Sequence, residues 1–145
     1  MKTRETITDA LFQLLVGSAD FATTGRRLKW YTDVAAQPAM FLRNKAETWD
    51  RQNTRMPAKV IMGFEIWLYS DQGADLDVPP SVGLNELIAA VGETLKPPPG
   101  REAQTLGGQV AHCWIEGEIT MEPGDLAGQA IAIIPVKVLV PTFGS

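Results

Sequence analysis

Val60, Met62, Phe64, Ile66 and Leu68 form an unbroken apolar row at two-residue spacing. Ala130, Ala132, Ile134, Val136, Val138 and Val140 form a second. Side chains of a strand point alternately to opposite faces, so each run predicts a strand with one fully apolar face. Ile61, Glu65, Trp67 and Tyr69 make the opposite row of the first strand. Ile131, Ile133, Pro135, Lys137 and Leu139 make that of the second. Proline cannot donate to a ladder, so Pro135 predicts an edge position or a bulge.

A third alternating run spans Gln104 to Met121 and opens on Gly107-Gly108. Ala111, Cys113, Ile115, Gly117, Ile119 and Met121 fall on one face. Val110, His112, Trp114, Glu116 and Glu118 fall on the other. The first row suits a core. The second sets a large aromatic and two carboxylates where water or a partner lies. Before these, Pro38 to Trp49 predicts a strand, and the aromatic pair Trp30-Tyr31 favours a short one over Leu28 to Val34.

Two helices complete the pattern. Ile7, Ala10, Leu11, Leu14 and Leu15 make one apolar stripe over Thr3 to Val16, with Gly17 as its stop. Leu84, Leu87, Ile88, Val91 and Leu95 make another over Val82 to Leu95. Ser81 is placed to cap this second helix, and Pro97-Pro98-Pro99 ends it. Polar turns occupy Thr23-Thr24-Gly25, Asp50 to Pro57, Ser70 to Pro80 and Glu122 to Gly128. The expected architecture is α+β in the order α-β-β-β-α-β-β. It has a central, mostly antiparallel sheet of about five strands with two helices packed on one face. The other face keeps Trp67, Tyr69, Trp114, Glu116, Glu118 and Lys137, too aromatic for a plain solvated surface.

At 145 residues the chain has the size of a single domain, residues 1–145. The net charge of -4 argues against general affinity for nucleic acid. With one cysteine, neither an internal disulfide nor a multi-cysteine zinc cage is available. The sequence offers no apolar run of bilayer-spanning length and no basic-then-apolar leader pattern. Residence in the compartment of synthesis, without membrane insertion, is the expectation.

The residue types that carry chemistry do not converge. His112 and Cys113 are chain neighbours, so a strand sends them to opposite faces and they cannot form a nucleophile-base pair. Cys113 suits core packing. Glu116 and Glu118 share a face, but acid-base work needs unequal environments in a cleft. Asp71, Asp75 and Asp77 imitate the spacing of a calcium loop that lacks its remaining ligands. Leu106-Gly107-Gly108-Gln109 lacks the lysine and following helix of a phosphate loop and reads as a turn needing positive φ. No catalytic residue, cofactor or metal site is expected. The candidate contact residues are Arg26, Arg27, Trp67, Tyr69, His112, Trp114, Glu116 and Glu118, since Trp and Arg are enriched at interfaces.

Taken together, these features resemble the siphophage tail terminator proteins, relatives of minor tail protein U. The shared features begin with the leading helix bearing Ile7, Leu11 and Leu14, then Arg26-Arg27 before an aromatic segment, and Ala36-Gln37-Pro38-Ala39. They continue through the loop before the second helix. They end with Thr105-Leu106-Gly107-Gly108 feeding Cys113-Trp114-Ile115-Glu116-Gly117, and an apolar strand closing at Pro141. The resemblance implies a non-catalytic virion protein of the head-proximal tail end, assembled in the host cytoplasm. It implies a homo-hexameric ring that ends tail-tube polymerisation and meets a head-side connector or neck protein, with DNA passing through the lumen unbound. The Asp50–Pro57 or Asp71–Pro80 loop would face the tube or connector. A head-tail adaptor is the alternative, and a small α+β ligand-binding domain or enzyme a more distant one.

Overall fold

The computed structural model describes residues 2–51, 55, 59–71, 76–125, 128–141 and 143. Much of the Asp50–Pro57 loop, the middle of the Asp71–Pro80 loop with Asp75, and part of the Glu122–Gly128 turn lie outside the described residues.

Helix α1 spans Arg4–Val16 and α2 spans Ser81–Leu95. Thr3 caps α1: its hydroxyl accepts the Thr6 N–H at 3.1 Å, and the Thr6 hydroxyl accepts the Thr3 N–H at 2.9 Å. In α2, Pro80 rather than Ser81 occupies the cap position, and no side chain caps it. Ile7, Leu11 and Leu15 of α1 and Leu84, Leu87, Val91 and Leu95 of α2 are buried, so the expected stripes face the core.

Six strands form one mixed sheet among the described residues: β1 (Thr23–Gly25), β2 (Ala39–Asp50), β3 (Lys59–Asp71), β4 (His112–Ile115), β5 (Thr120–Glu122) and β6 (Gln129–Val140). Their order is β1-β2-β3-β6-β4, with β5 following β4 along the same side of β6. Only β1–β2 is parallel. The fold is the expected α+β arrangement. Val60, Met62, Phe64, Ile66 and Leu68 stand opposite Val140, Val138, Val136, Ile134 and Ala132, and all ten are buried. The helices pack on this face, α1 over β2 and α2 over β3, β6 and β4.

Two local expectations are corrected. Leu28 to Val34 forms no strand. It carries a 3-10 turn, Tyr31–Asp33, while the first strand is the Thr23–Gly25 segment expected to be a polar turn. Leu28, Tyr31 and Val34 instead pack on buried Ala39, Phe41 and Tyr69, and this tertiary packing outweighs β-propensity. The long strand expected over Gln104 to Met121 is divided into β4 and β5.

Pro135 explains that division. It lies in a central strand between β3 and the β4–β5 side. In an antiparallel ladder a residue's N–H and C=O point to the same neighbour. The Pro135 carbonyl accepts the Glu116 N–H at 3.3 Å, so its donor-less nitrogen also faces the β4–β5 side, at the break. Gly117 crosses the break at φ +111°, where a Cβ would stand 3.4 Å from the Pro135 ring. The missing donor is therefore accommodated by interrupting the neighbour rather than by moving β6 to an edge. Beyond the break, Met121 keeps the parity of Cys113 but is 54% exposed.

Ile66→Ala should destabilise the fold by about 2–5 kcal/mol, because it empties a wholly buried site at the sheet centre. Met121→Ala should change stability by less than about 0.5 kcal/mol despite its place in the apolar row. Urea unfolding of both variants checks the pair.

Candidate assembly interface

The helix-free face of the sheet has three zones. Near β1 it is closed: Phe41 and Tyr69 lie under the 28–34 segment, and the Tyr69 hydroxyl donates to the Lys29 carbonyl at 2.7 Å. Tyr69 has no exposed surface, so the sequence-expected contact residue is an internal anchor for that segment. Burial raises its phenol pKa, which keeps the hydroxyl a donor.

Beside this cover lies an apolar trough of about 280 Å³ lined by Trp30, Trp67, Ile131, Ile133 and β5. Trp67 is half-buried there, and its indole N–H points to Glu65 at 3.4 Å. Glu65 is also paired with Arg43 at 3.2 Å and Lys45 at 3.7 Å, so the trough ends in a compensated polar cluster. Trp30 and Met121, 51% and 54% exposed, line the trough but were not among the expected contact residues. Neither placement was visible in periodicity, because one follows from the cover segment and the other from the Gly117 break.

The third zone is the β4 edge. His112 and Trp114 stack with ring centroids 5.2 Å apart and planes 13° from parallel. The His112 Nδ1 accepts the Gln104 N–H at 3.1 Å, which leaves the neutral ring's proton on Nε2. Gln104 also donates from its amide to the Lys96 and Thr94 carbonyls at 3.1 and 3.4 Å, satisfying the C-terminal end of α2. The segment before β4 is thus a clamp between helix end and edge strand. Its tight turn uses Leu106, Gly107 and Gly108 at φ +53°, +73° and +88°. Trp114 donates to the Glu116 carboxylate at 3.2 Å, and Glu116 and Glu118 are exposed. Lys137, opposite Trp114 on β6, lies across Gly63.

Cys113 sits on the opposite face from His112, fully buried, with its thiol pKa pushed up to about 12 by desolvation. The two are not a catalytic pair. Among the described residues no three His, Cys, Asp or Glu side chains converge as a metal site, and no helix is long and apolar enough to cross a membrane.

The two arginines divide. Arg26 turns to the helix side and makes a two-pronged pair with Glu5 at 2.6 and 3.1 Å, which raises the guanidinium pKa and lowers that of the carboxyl. This pair ties β1 to the start of α1. Arg27 is exposed, and no carboxylate among the described residues lies within ion-pairing distance of it. Of the expected residues, the structure brings His112, Trp114, Glu116 and Glu118 together at one sheet edge. Arg27 stands at the other, with Trp67 between.

No family model matches the chain, and no curated protein matches it. Among solved structures it is similar to a chain of the "Virion of native gene transfer agent (GTA) particle". The match covers 94% of this chain and 95% of that one, with a TM-score of 0.55 and 13% identity. At that identity the likeness is one of fold, and it extends over the whole α+β domain.

At pH 8 the native protein should not react with an aromatic disulfide reagent, whereas in the urea-unfolded chain Cys113 should form a mixed disulfide with it and displace one equivalent of the reagent's aromatic thiolate. The neutral thiol is favoured in the fold, so its stabilising contribution is full below pH 9.0 and fades between pH 9.0 and about 12. A fast native thiol reaction at pH 8 would contradict the burial.

Proposed function

We propose that this chain is a structural subunit of a phage-like virion, of the tail terminator kind. In this reading, six copies close into a ring at the head-proximal end of the tail. The ring stops addition of tube subunits and presents its far side to a connector or neck protein. The observation that carries the reading is the end-to-end likeness in fold to a virion chain, with nearly complete coverage on both sides. The molecule's surface supports it: an apolar trough and an aromatic edge lie on the sheet face that no helix covers. Exposed apolar area of this sort marks contact surfaces. A net charge of -4 suits a lumen through which DNA passes without being gripped.

No catalytic step belongs to this reading. The side chains with chemical potential are committed elsewhere: Cys113 to the core, Arg26 to Glu5, Tyr69 to the Lys29 carbonyl. A head-tail adaptor is the second reading, because the neighbour's description names a virion particle and not a position within it.

Added to polymerising tail-tube subunits, the protein should halt elongation at substoichiometric ratios, measured by tube length in electron micrographs. An adaptor would leave tube length unchanged and bind a portal ring instead. Trp114→Ala and Arg27→Glu should each weaken self-assembly in light scattering. If both leave it intact, these residues are not subunit contacts.

A further inference from the structure

We infer that copies of this chain join front to back: the apolar turn at the start of α2 in one copy seats in the trough on the helix-free face of the next. This rests on the ring reading above and names its apolar anchor.

Six large apolar side chains are exposed among the described residues: Trp30, Trp49, Leu76, Val78, Val82 and Met121. Trp49 is used within the chain, since its ring meets Phe143 at 6.2 Å and its N–H donates to Glu47 at 3.3 Å. The other five are not scattered. Trp30 and Met121 line the trough. Leu76, Val78 and Val82 fall in the turn into α2 and its first turn, and Leu76 is 83% exposed. An apolar cavity and an apolar side chain standing clear of the surface are what a subunit contact brings together. Here one chain carries both halves, so a second copy is the occupant.

The trough is preformed. Trp67 meets buried Tyr69 edge-on with centroids 6.5 Å apart, Tyr69 meets Tyr31 at 6.3 Å, and Tyr31 holds Trp30 at 4.8 Å. Its two indole walls are therefore fixed to one internal anchor, which lowers the ordering cost of docking.

Placement makes the contact head-to-tail. The trough lies where Tyr69 stands opposite Ile131, on the helix-free face. α2 starts at the same end of the sheet, since a Cβ on Gly83 would stand 2.8 Å from the Ser70 Oγ, but it lies on the other face. Leu84, Leu87, Val91 and Leu95 face the sheet, so Val82 and Glu86 face away from it. Two patches that face opposite ways cannot both engage in a two-fold pair. They join a subunit to a different neighbour on each side, the contact type that closes rings.

Charge agrees in sign. At the Trp67 end of the trough, Arg43 and Lys45 share the one carboxylate of Glu65, which leaves a positive charge over. Glu122, on the β5 wall, turns its carboxylate to the Gly124 N–H at 3.2 Å. The docking turn belongs to a stretch with no lysine or arginine between Lys59 and Lys96, and Glu86 is exposed one helical turn from Val82.

The test uses full-length protein, native mass spectrometry and cross-linking. Leu76→Asp and Met121→Asp change exposed side chains, and circular dichroism checks that both variants fold. Each should raise the concentration needed for assembly by about tenfold or more, whereas Leu76→Met should assemble as wild type does. A chain carrying both Val78→Cys and Thr120→Cys should give, with a short bis-maleimide, a covalent ladder reaching six copies. Either change alone should leave monomers, since the two sites meet only between neighbours and Cys113 is buried. Either Asp variant assembling as readily as wild type, or Val78→Cys alone yielding dimers, would overturn the contact while leaving the ring standing. Met121→Asp that assembles normally but no longer halts tube growth would give the trough to the tube subunit and overturn it too. Wild type that is monomeric at every concentration, with and without tube subunits, would instead remove the ring and this contact with it. If Leu76→Asp fails to fold, Leu76→Ser carries the same comparison.

Discussion

The antiparallel pairing of β3 with β6 is the constraint on which the rest of the molecule depends. Twelve residue pairs stay in register from Val60 opposite Val140 to Asp71 opposite Gln129. A one-residue slip would turn every buried side chain to the wrong face, so the apolar rows lock the register. β2 and β1 build outward from β3, and β4 and β5 from β6. Both helices seat on the single apolar face this pair creates. The other face is half-open by the same logic, since its alternate residues are Trp67, Ile131, Ile133 and Lys137 rather than a second complete core row.

Much of this fold was legible in the chain because period-two rows and helical stripes are strong local signals. β2, β3, β6 and both helices appear within a few residues of where those signals put them. The failures have physical causes. Trp30 and Tyr31 favour extended structure locally, but their segment folds over Phe41 and Tyr69 as a cover. Alternation continues from Cys113 through Met121, yet the strand breaks because Pro135, distant in sequence, has no N–H to offer there. Neither effect is encoded within the segment it alters.

The candidate contact surface was partly legible for a related reason. Parity alone places Trp114, Glu116 and His112 on one side, and the structure keeps them together at the β4 edge. Parity also puts Tyr69 on that face, but cannot tell that a loop buries it. The adjacent arginines looked alike in the sequence. The structure gives them separate roles, Arg26 pairing with Glu5 of the first helix and Arg27 left exposed.

Native mass spectrometry tests the assembling subunit most directly. A sixfold assembly should form at high concentration, and Trp114→Ala should weaken it. A chain that stays monomeric at every concentration, with and without tail-tube subunits, would contradict it.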